Sequence, residues 1–484
     1  MRERARTRSP LRGNARQGRL LPFLAVASVF VCGVIFLSGQ RVGTEESIRE
    51  VSQDDTGFFL LSDSTPFKEF YAGADRLEDV SYVEKGSIIR RCLTTNTTIS
   101  IPLQTTLAGA AKPLLSIGDI AAQSDMFALV ALKVAKSEVE DITPVMLPPR
   151  IFGENLCSTL PARGHGKFAR FCVSDVDDSA PEDPKERADL RVPVLAHTRS
   201  GLINKNGFVR KGDFEIVPTP ICRKAGDNST GKKTPIMQIN DPVFIISHYR
   251  GEAVYHHIIE NMARLAPYYD ELVNTPEVKI HTATGGVPGP FMEFLGFPSN
   301  RLISGDVYTT NTIIFPDTAG CGSRRIYILK KLREVLLQRM FLFFGDDEPQ
   351  LKQHVLVIRR SKKRAINNFD KMMDALVARF PEEKFVIFRD DPVPSVADSF
   401  RMFYEAKMVI APHGAGLANA IMCNPGTPIL EFLVEDNTMN MCFVWMSSVM
   451  GLRHETYAPP GSTAKGNFTV DIDMVLSMAA HHLN

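Results

Sequence analysis

Three separated stretches of the chain bring together side chains able to hold an anion and move a proton. The first is Tyr255-His256-His257-Ile258-Ile259-Glu260, with Arg264 four residues on. His256 and Glu260 are four apart, so on a helix they share a face, while His257 points elsewhere. Either His256 or Glu260 can take the proton of an attacking hydroxyl; a hydrogen-bonded structural pair is the plainer reading. Arg264 can pair with Glu260 or cap a surface. The second stretch is Leu356-Val357-Ile358-Arg359-Arg360-Ser361-Lys362-Lys363-Arg364. An apolar strand running into a basic loop presents guanidinium forks suited to phosphate oxygens, which makes Arg359, Arg360 and Arg364 candidate anion ligands, against a solvated basic loop. The third is Pro412-His413-Gly414-Ala415-Gly416-Leu417, followed by Pro428-Ile429-Leu430-Glu431. It parses as a strand, a glycine-tight turn, a helix start and a second strand ending on a carboxylate. Gly414, Ala415 and Gly416 would let a phosphate approach the backbone and the helix-start N–H groups. His413 can donate to that phosphate, and Glu431 can accept from ribose hydroxyls. The three stretches together describe a nucleoside-diphosphate site.

Such a site needs a scaffold in which strand ends converge. From Asp241 onward the sequence alternates apolar runs with helical patterns. Strands are predicted at residues 242–247, 278–281, 310–315, 354–359, 384–388 and 407–411. Helices are predicted at 252–272, 321–344, 370–380 and 395–406. That alternation argues for parallel sheets covered on both faces. A break at residues 344–352 divides two Rossmann-like halves, with a ligand cleft expected between them. Residues 39–90 read as a polar, acidic stem, and residues 91–235 as first strands and insertions of the folded part. Asp175-Val176-Asp177 and Asp471-Ile472-Asp473 have the D-x-D spacing of a metal pair, but neither follows a buried strand. Both read as structural, the second as the opening of the last helix, and no metal site is predicted.

The N-terminus sets the compartment. Residues 1–19 hold seven arginines and one acid, and residues 20–37 run eighteen positions without a charge. That length spans a bilayer, and the basic flank predicts a cytoplasmic tail with the bulk of the chain lumenal. A cleaved signal peptide is the rival, but Ala25-Val26-Ala27 lies inside the apolar run rather than after it. Without the tail, 49 basic residues face 54 acidic ones, about −5, so no nucleic-acid footprint exists. Asn96, Asn228 and Asn467 head N-glycosylation triplets, and seven cysteines beyond Cys32 face an oxidising lumen. Seven is odd, so at least one stays free or pairs with another chain.

In order, the Tyr255–Glu260 stretch, the arginine strand, His413-Gly414-Ala415-Gly416-Leu417 and Glu431 resemble a family 61 glycosyltransferase over about residues 240–460. Where that family often has Asp, this chain has Glu260. The resemblance implies an α/β, GT-B-like fold of two Rossmann-like domains facing a cleft, behind an N-terminal transmembrane helix. Its layout would be a tail at 1–19, signal anchor at 20–38, stem at 39–90, acceptor-side domain at 91–345 and nucleotide-sugar domain at 346–484. It further implies an inverting transfer from a UDP-sugar to a hydroxyl of a glycan or glycoprotein. His256 and Glu260 would be catalytic; Arg359, Arg360, Arg364, His413, Gly414, Ala415, Gly416 and Glu431 would bind the donor. No cofactor or metal is expected, and the implied location is the Golgi or endoplasmic reticulum membrane, single-pass and type II. Two other classes compete. A dinucleotide oxidoreductase would want a third glycine where Asn419 stands, and a lumenal sugar- or nucleotide-binding protein would keep the fold without turnover.

Overall fold

The computed structural model describes residues 81–94, 114–115, 128–132, 149–152, 154–159, 170–176, 194–211, 214–216, 236–248, 250–316, 326–435 and 441–483. The chain divides into two units, Met1–Asp55 and Thr56–Asn484, and every described residue belongs to the second. The predicted tail and membrane anchor, and residues 39–80 of the stem, lie outside the described residues. Among the described ones, no helix is long and apolar enough to cross a membrane.

The strands of the N-terminal part are β1 Ser81–Val83, β2 Leu114–Leu115, β3 Ala128–Leu132, β4 Arg150–Phe152, β5 Val194–Ile203 and β6 Val209–Lys211. They continue with β7 Phe214–Ile216, β8 Met237–Ile239, β9 Val243–Ile245, β10 Lys279–Thr282, β11 Leu302–Ser304 and β12 Val307–Pro316. All but β4 form one sheet, in the order β11-β10-β9-β12-β5-β6-β7-β2 with β1, β3 and β8 attached. The parallel strands expected of a Rossmann-like half are joined here by an antiparallel flank. The run β11-β10-β9-β12 is parallel, but the long β12 then pairs antiparallel with β5, and the sheet continues antiparallel through β6 and β7. The half is a mixed sheet with a parallel flank.

The C-terminal part follows the alternating pattern closely. Its strands are β13 His354–Arg359, β14 Phe385–Arg389, β15 Ala406–Pro412, β16 Pro428–Phe432 and β17 Arg453–Tyr457. They line up as β14-β13-β15-β16-β17, all parallel, and β4 joins β17 as a sixth parallel strand. Near-continuous burial of β13, β15 and β16 is what a sheet covered on both faces requires. The guest strand is fixed by charge: Arg150 in β4 sets Nη1 2.9 Å from Glu455 Oε1 in β17, with both side chains buried. The second D-x-D pair does open the last helix, Ile472–Leu483, where Asp471 Oδ1 accepts the Met474 N–H. Asp175 is exposed in a bend, and Asp177 lies outside the described residues.

One core cluster runs through both parts, from Phe244, Ile258 and Met292 to Phe400, Leu417 and Phe443. It includes helix Ile326–Phe344, the long helix expected from the sequence. The helix expected over residues 252–272 is not a regular one. It comprises a π-helix His256–Met262, an α-turn Ala263–Leu265, a 3₁₀ turn Ala266–Tyr268 and an α-helix Tyr269–Val273. Pro267 lacks an N–H to continue the α ladder. His257, Asn261 and Arg264 are almost wholly buried, and the fully buried Arg264 donates to the carbonyls of Ser247 and Pro316 at 2.8 and 3.0 Å. Arg264 therefore ties β9 and β12 together and caps no surface. Cys157 and Cys172 form a disulfide; Cys92, Cys423 and Cys442 are buried and form no disulfide among the described residues. Cys32, Cys222 and Cys321 lie outside the described residues.

Candidate functional site

The order β14-β13-β15-β16-β17 contains one topological switch point. The chain leaves β13 for β14 on one flank and returns to β15 on the other. In open parallel sheets such a point opens a crevice at the strand C-termini. Arg360 follows β13 there, and Gly414 follows β15. The Arg360 Nη1 donates to His413 O at 3.4 Å, and a Cβ built on Gly414 would fall 1.7 Å from that nitrogen. Gly414 has an extended backbone that any residue can adopt, so its need for glycine comes from the guanidinium. Gly416 has ordinary clearance, 3.6 Å to Ile358 and Phe388. The helix start expected after this turn is a 3₁₀ helix, Ala415–Met422.

A cavity of about 520 Å³ opens beside this pair. Ile358, Phe388 and Pro394 give it apolar walls, Arg360 and Asp390 supply charge, and Val254 and Phe291 reach in from the N-terminal part. Gly414, Ala415 and Gly416 also line it. Burial pulls the Arg360 guanidinium below its ordinary pKa, with Asp390 opposing. Arg364 is half-buried in a left-handed turn; burial and the nearby Arg360 lower it, and Glu431 opposes. Arg359 is placed differently. It pairs with the exposed Asp370 at 2.9 Å and covers the Phe369 ring, away from the cavity walls. Of the two neighbouring arginines, the crevice holds Arg360.

Two histidine–carboxylate pairs stand nearby. In the π-helix, His256 Nδ1 lies 2.7 Å from Glu260 Oε2, and His248, just after β9, approaches the same oxygen at 3.4 Å. Burial pushes the Glu260 carboxyl up, but hydrogen bonds and charge from His248 and His256 outweigh it and hold it below the usual carboxylate range. Its neighbour His257 is wholly buried against Phe291, and burial lowers it to about 3, so it stays neutral. At the end of β15, His413 Nδ1 lies 2.5 Å from Glu431 Oε1. Burial again pushes the carboxyl up, yet the charge and hydrogen bonds of His413 and His454 bring it down to about 2. Each outer histidine, His256 and His413, thus turns Nδ1 inward to a carboxylate and leaves Nε2 without a hydrogen-bond partner and not sealed from solvent. Edge-to-face contacts run His256–Tyr255–Phe443–His413, with ring centroids 5.3, 5.3 and 5.1 Å apart, so the two pairs flank one aromatic wall.

The structure therefore groups His256 with Glu260, lines the cavity with Arg360, Gly414, Ala415 and Gly416, and sets His413 beside it with its carbonyl on Arg360. Glu431 is placed otherwise than a ribose ligand. It is only 1% exposed and both its oxygens face histidines, so it stands behind His413. Sequence reading missed His248, Asp390, His454 and Ser447. Asp390 follows directly on β14 and His248 stands three residues past β9, a positional signal available in the sequence. His454 and Ser447 join the site only through strand register, which leaves no local trace.

A half-buried arginine at a switch-point crevice, beside two histidine–carboxylate pairs, suits the binding of an anion. Residues 254–430 match the family model Glycosyltransferase 61, a stretch running from the turn before the π-helix into β16. That segment is a glycosyltransferase family 61 domain, and glycosyltransferase activity is the general activity it supports. No curated protein matches the chain.

Proposed function

We propose that the protein is an inverting glycosyltransferase that moves a sugar from a UDP-sugar to a hydroxyl of a glycan or glycoprotein. The observation that carries this reading is the Arg360 guanidinium laid over Gly414 at the β13/β15 crevice. A uridine would lie along the apolar wall of Ile358, Phe388 and Pro394, with its diphosphate toward Arg360. His256 is the base: Glu260 holds its Nδ1 and orients the ring, and Nε2 takes the proton of the acceptor hydroxyl as that oxygen attacks the anomeric carbon. The bond from that carbon to the phosphate oxygen breaks in the same displacement, which inverts the centre. Charge arriving on the leaving UDP meets Arg360 and the Nε2 of His413, preset donors of the kind that stabilise a developing anion best. These groups supply from the chain what a metal supplies in other transferases.

The Cys157–Cys172 disulfide and the exposed Asn467 triplet support a secretory-pathway lumen, with residues 20–37 as a type II anchor in the Golgi or endoplasmic reticulum membrane. A panel of UDP-sugars with linkage analysis of the product tests the assignment. Transfer or hydrolysis of one donor is expected, unaffected by EDTA. Binding of NAD(P) with no turnover of any UDP-sugar would overturn it, and activity lost to EDTA and restored by Mn²⁺ would overturn the metal-free part.

A further inference from the structure

The buried hydrogen-bond chain continues past Glu431. His454 in β17 places Nε2 3.0 Å from Glu431 Oε2, and Ser447 in helix Cys442–Met450 places Oγ 2.7 Å from His454 Nδ1. Ser447 and His454 are as deeply buried as Glu431 itself. The direction of each hydrogen bond follows from the carboxylate. An ionised carboxylate only accepts, so both histidines must present N–H to it. His454 then donates through Nε2, and its Nδ1 meets the Ser447 hydroxyl. His413 donates through Nδ1. Its Nε2 is therefore the one ring nitrogen of this hydrogen-bonded chain left open among the described residues. The other titratable groups facing the chain are Arg360 and Arg364 from the loop after β13 and Cys442 from the helix. The arginines stay charged, and burial raises the Cys442 thiol well above its ordinary value, so neither type titrates near neutrality.

We propose that His454 and Ser447 are positioning residues that hold the His413 ring through Glu431, so that its Nε2 donates a hydrogen bond to the donor diphosphate. The inference rests on the UDP-sugar reading above. No bond to carbon or phosphorus changes in this step, and a hydrogen bond from the ring to phosphate is charge-assisted.

The test is calorimetry of UDP binding to the full chain in detergent. His413→Ala should weaken UDP binding about tenfold, the scale of one charge-assisted hydrogen bond, and His454→Leu should do the same. His454→Gln, whose amide can still donate to Glu431, should recover affinity to within about threefold of wild type. Added to His413→Ala, His454→Leu should do nothing more, because it acts through His413. Where the leucine variant does not fold, Ser447→Ala replaces it, with the same direction and a smaller loss. Unchanged affinity in these variants, or an equal further loss on the His413→Ala background, would overturn the inference alone. No UDP binding by the wild-type chain would overturn the donor reading and this inference with it.

Discussion

The His256–Glu260 pair lies within one turn of one irregular helix, whereas His413–Glu431 is assembled from two neighbouring parallel strands. The first is close in sequence and depends on a π-helical backbone to sink Glu260 beneath a partly exposed His256. The second is eighteen residues apart and depends on register, which sets Ala411 of β15 beside Glu431 of β16. Both end with the same chemistry, a histidine pinned through Nδ1 with Nε2 left open. They differ in where they sit. His413 shares its own backbone carbonyl with Arg360, beside the crevice; His256 stands at the other end of the Tyr255–Phe443 wall. On the proposed function, the helix pair does base work and the strand pair leaving-group work.

The sharpest way to break that division is His256→Ala. Loss of a positioned base should lower kcat by about 10²–10⁴-fold while UDP affinity stays within about twofold. A matching loss of UDP affinity would place His256 in the donor site and erase the distinction. Next in size is Arg360→Ala, which removes charged hydrogen bonds and should weaken UDP binding by about 10–100-fold in calorimetry. Arg359→Ala, an exposed pair with Asp370, should change it by less than about twofold. Equal effects of the two would mean that the crevice does not select between them.

Gly414→Ala sharpens the same side of the comparison. Its methyl must displace the Arg360 guanidinium, so UDP affinity should fall about tenfold, the order of one charge-assisted contact, while Gly416→Ala stays near wild type. Parallel losses at both glycines would point to phosphate contact with the backbone in place of guanidinium packing. The smallest effect concerns acid stability. Glu431 is held at about 2 against an ordinary 4.5, so the stability it contributes is complete above about pH 4.5 and is lost as the pH falls toward 2. Glu431→Gln should flatten the decline of the denaturation midpoint across that window. An unaltered acid limb in the variant would show that other carboxylates carry it.

The C-terminal sheet was legible because its strands are buried on both faces and therefore read as unbroken apolar runs. The run from His354 to Arg359 matches β13 residue for residue, and Ser395 caps helix Val396–Tyr404 by accepting the Asp398 N–H, as its residue type suggests. The N-terminal sheet was not legible, since its antiparallel flank is built by pairing across long sequence gaps. The π-helix escaped for a related reason. Its pattern is apolar on all sides with polar groups buried among them, and helical periodicity cannot distinguish a wide turn from a regular one. At the site, residue types announced His256, Glu260, Arg360 and His413. The choice between Arg359 and Arg360, the withdrawal of Glu431 behind His413, and the roles of His454 and Ser447 needed coordinates, because each depends on which way a side chain leaves a strand.

The guest strand β4 bears on how the molecule is made. Arg150 and Glu455, which pin β4 to β17, are 305 positions apart. During synthesis the edge of the donor-side sheet is the earliest part of that sheet to emerge and must wait for almost the whole remaining chain before its partner exists. A contact of such sequence separation closes late and slowly. A nascent chain cut anywhere before β17 would leave β4 with bare backbone donors and acceptors, a template for aggregation.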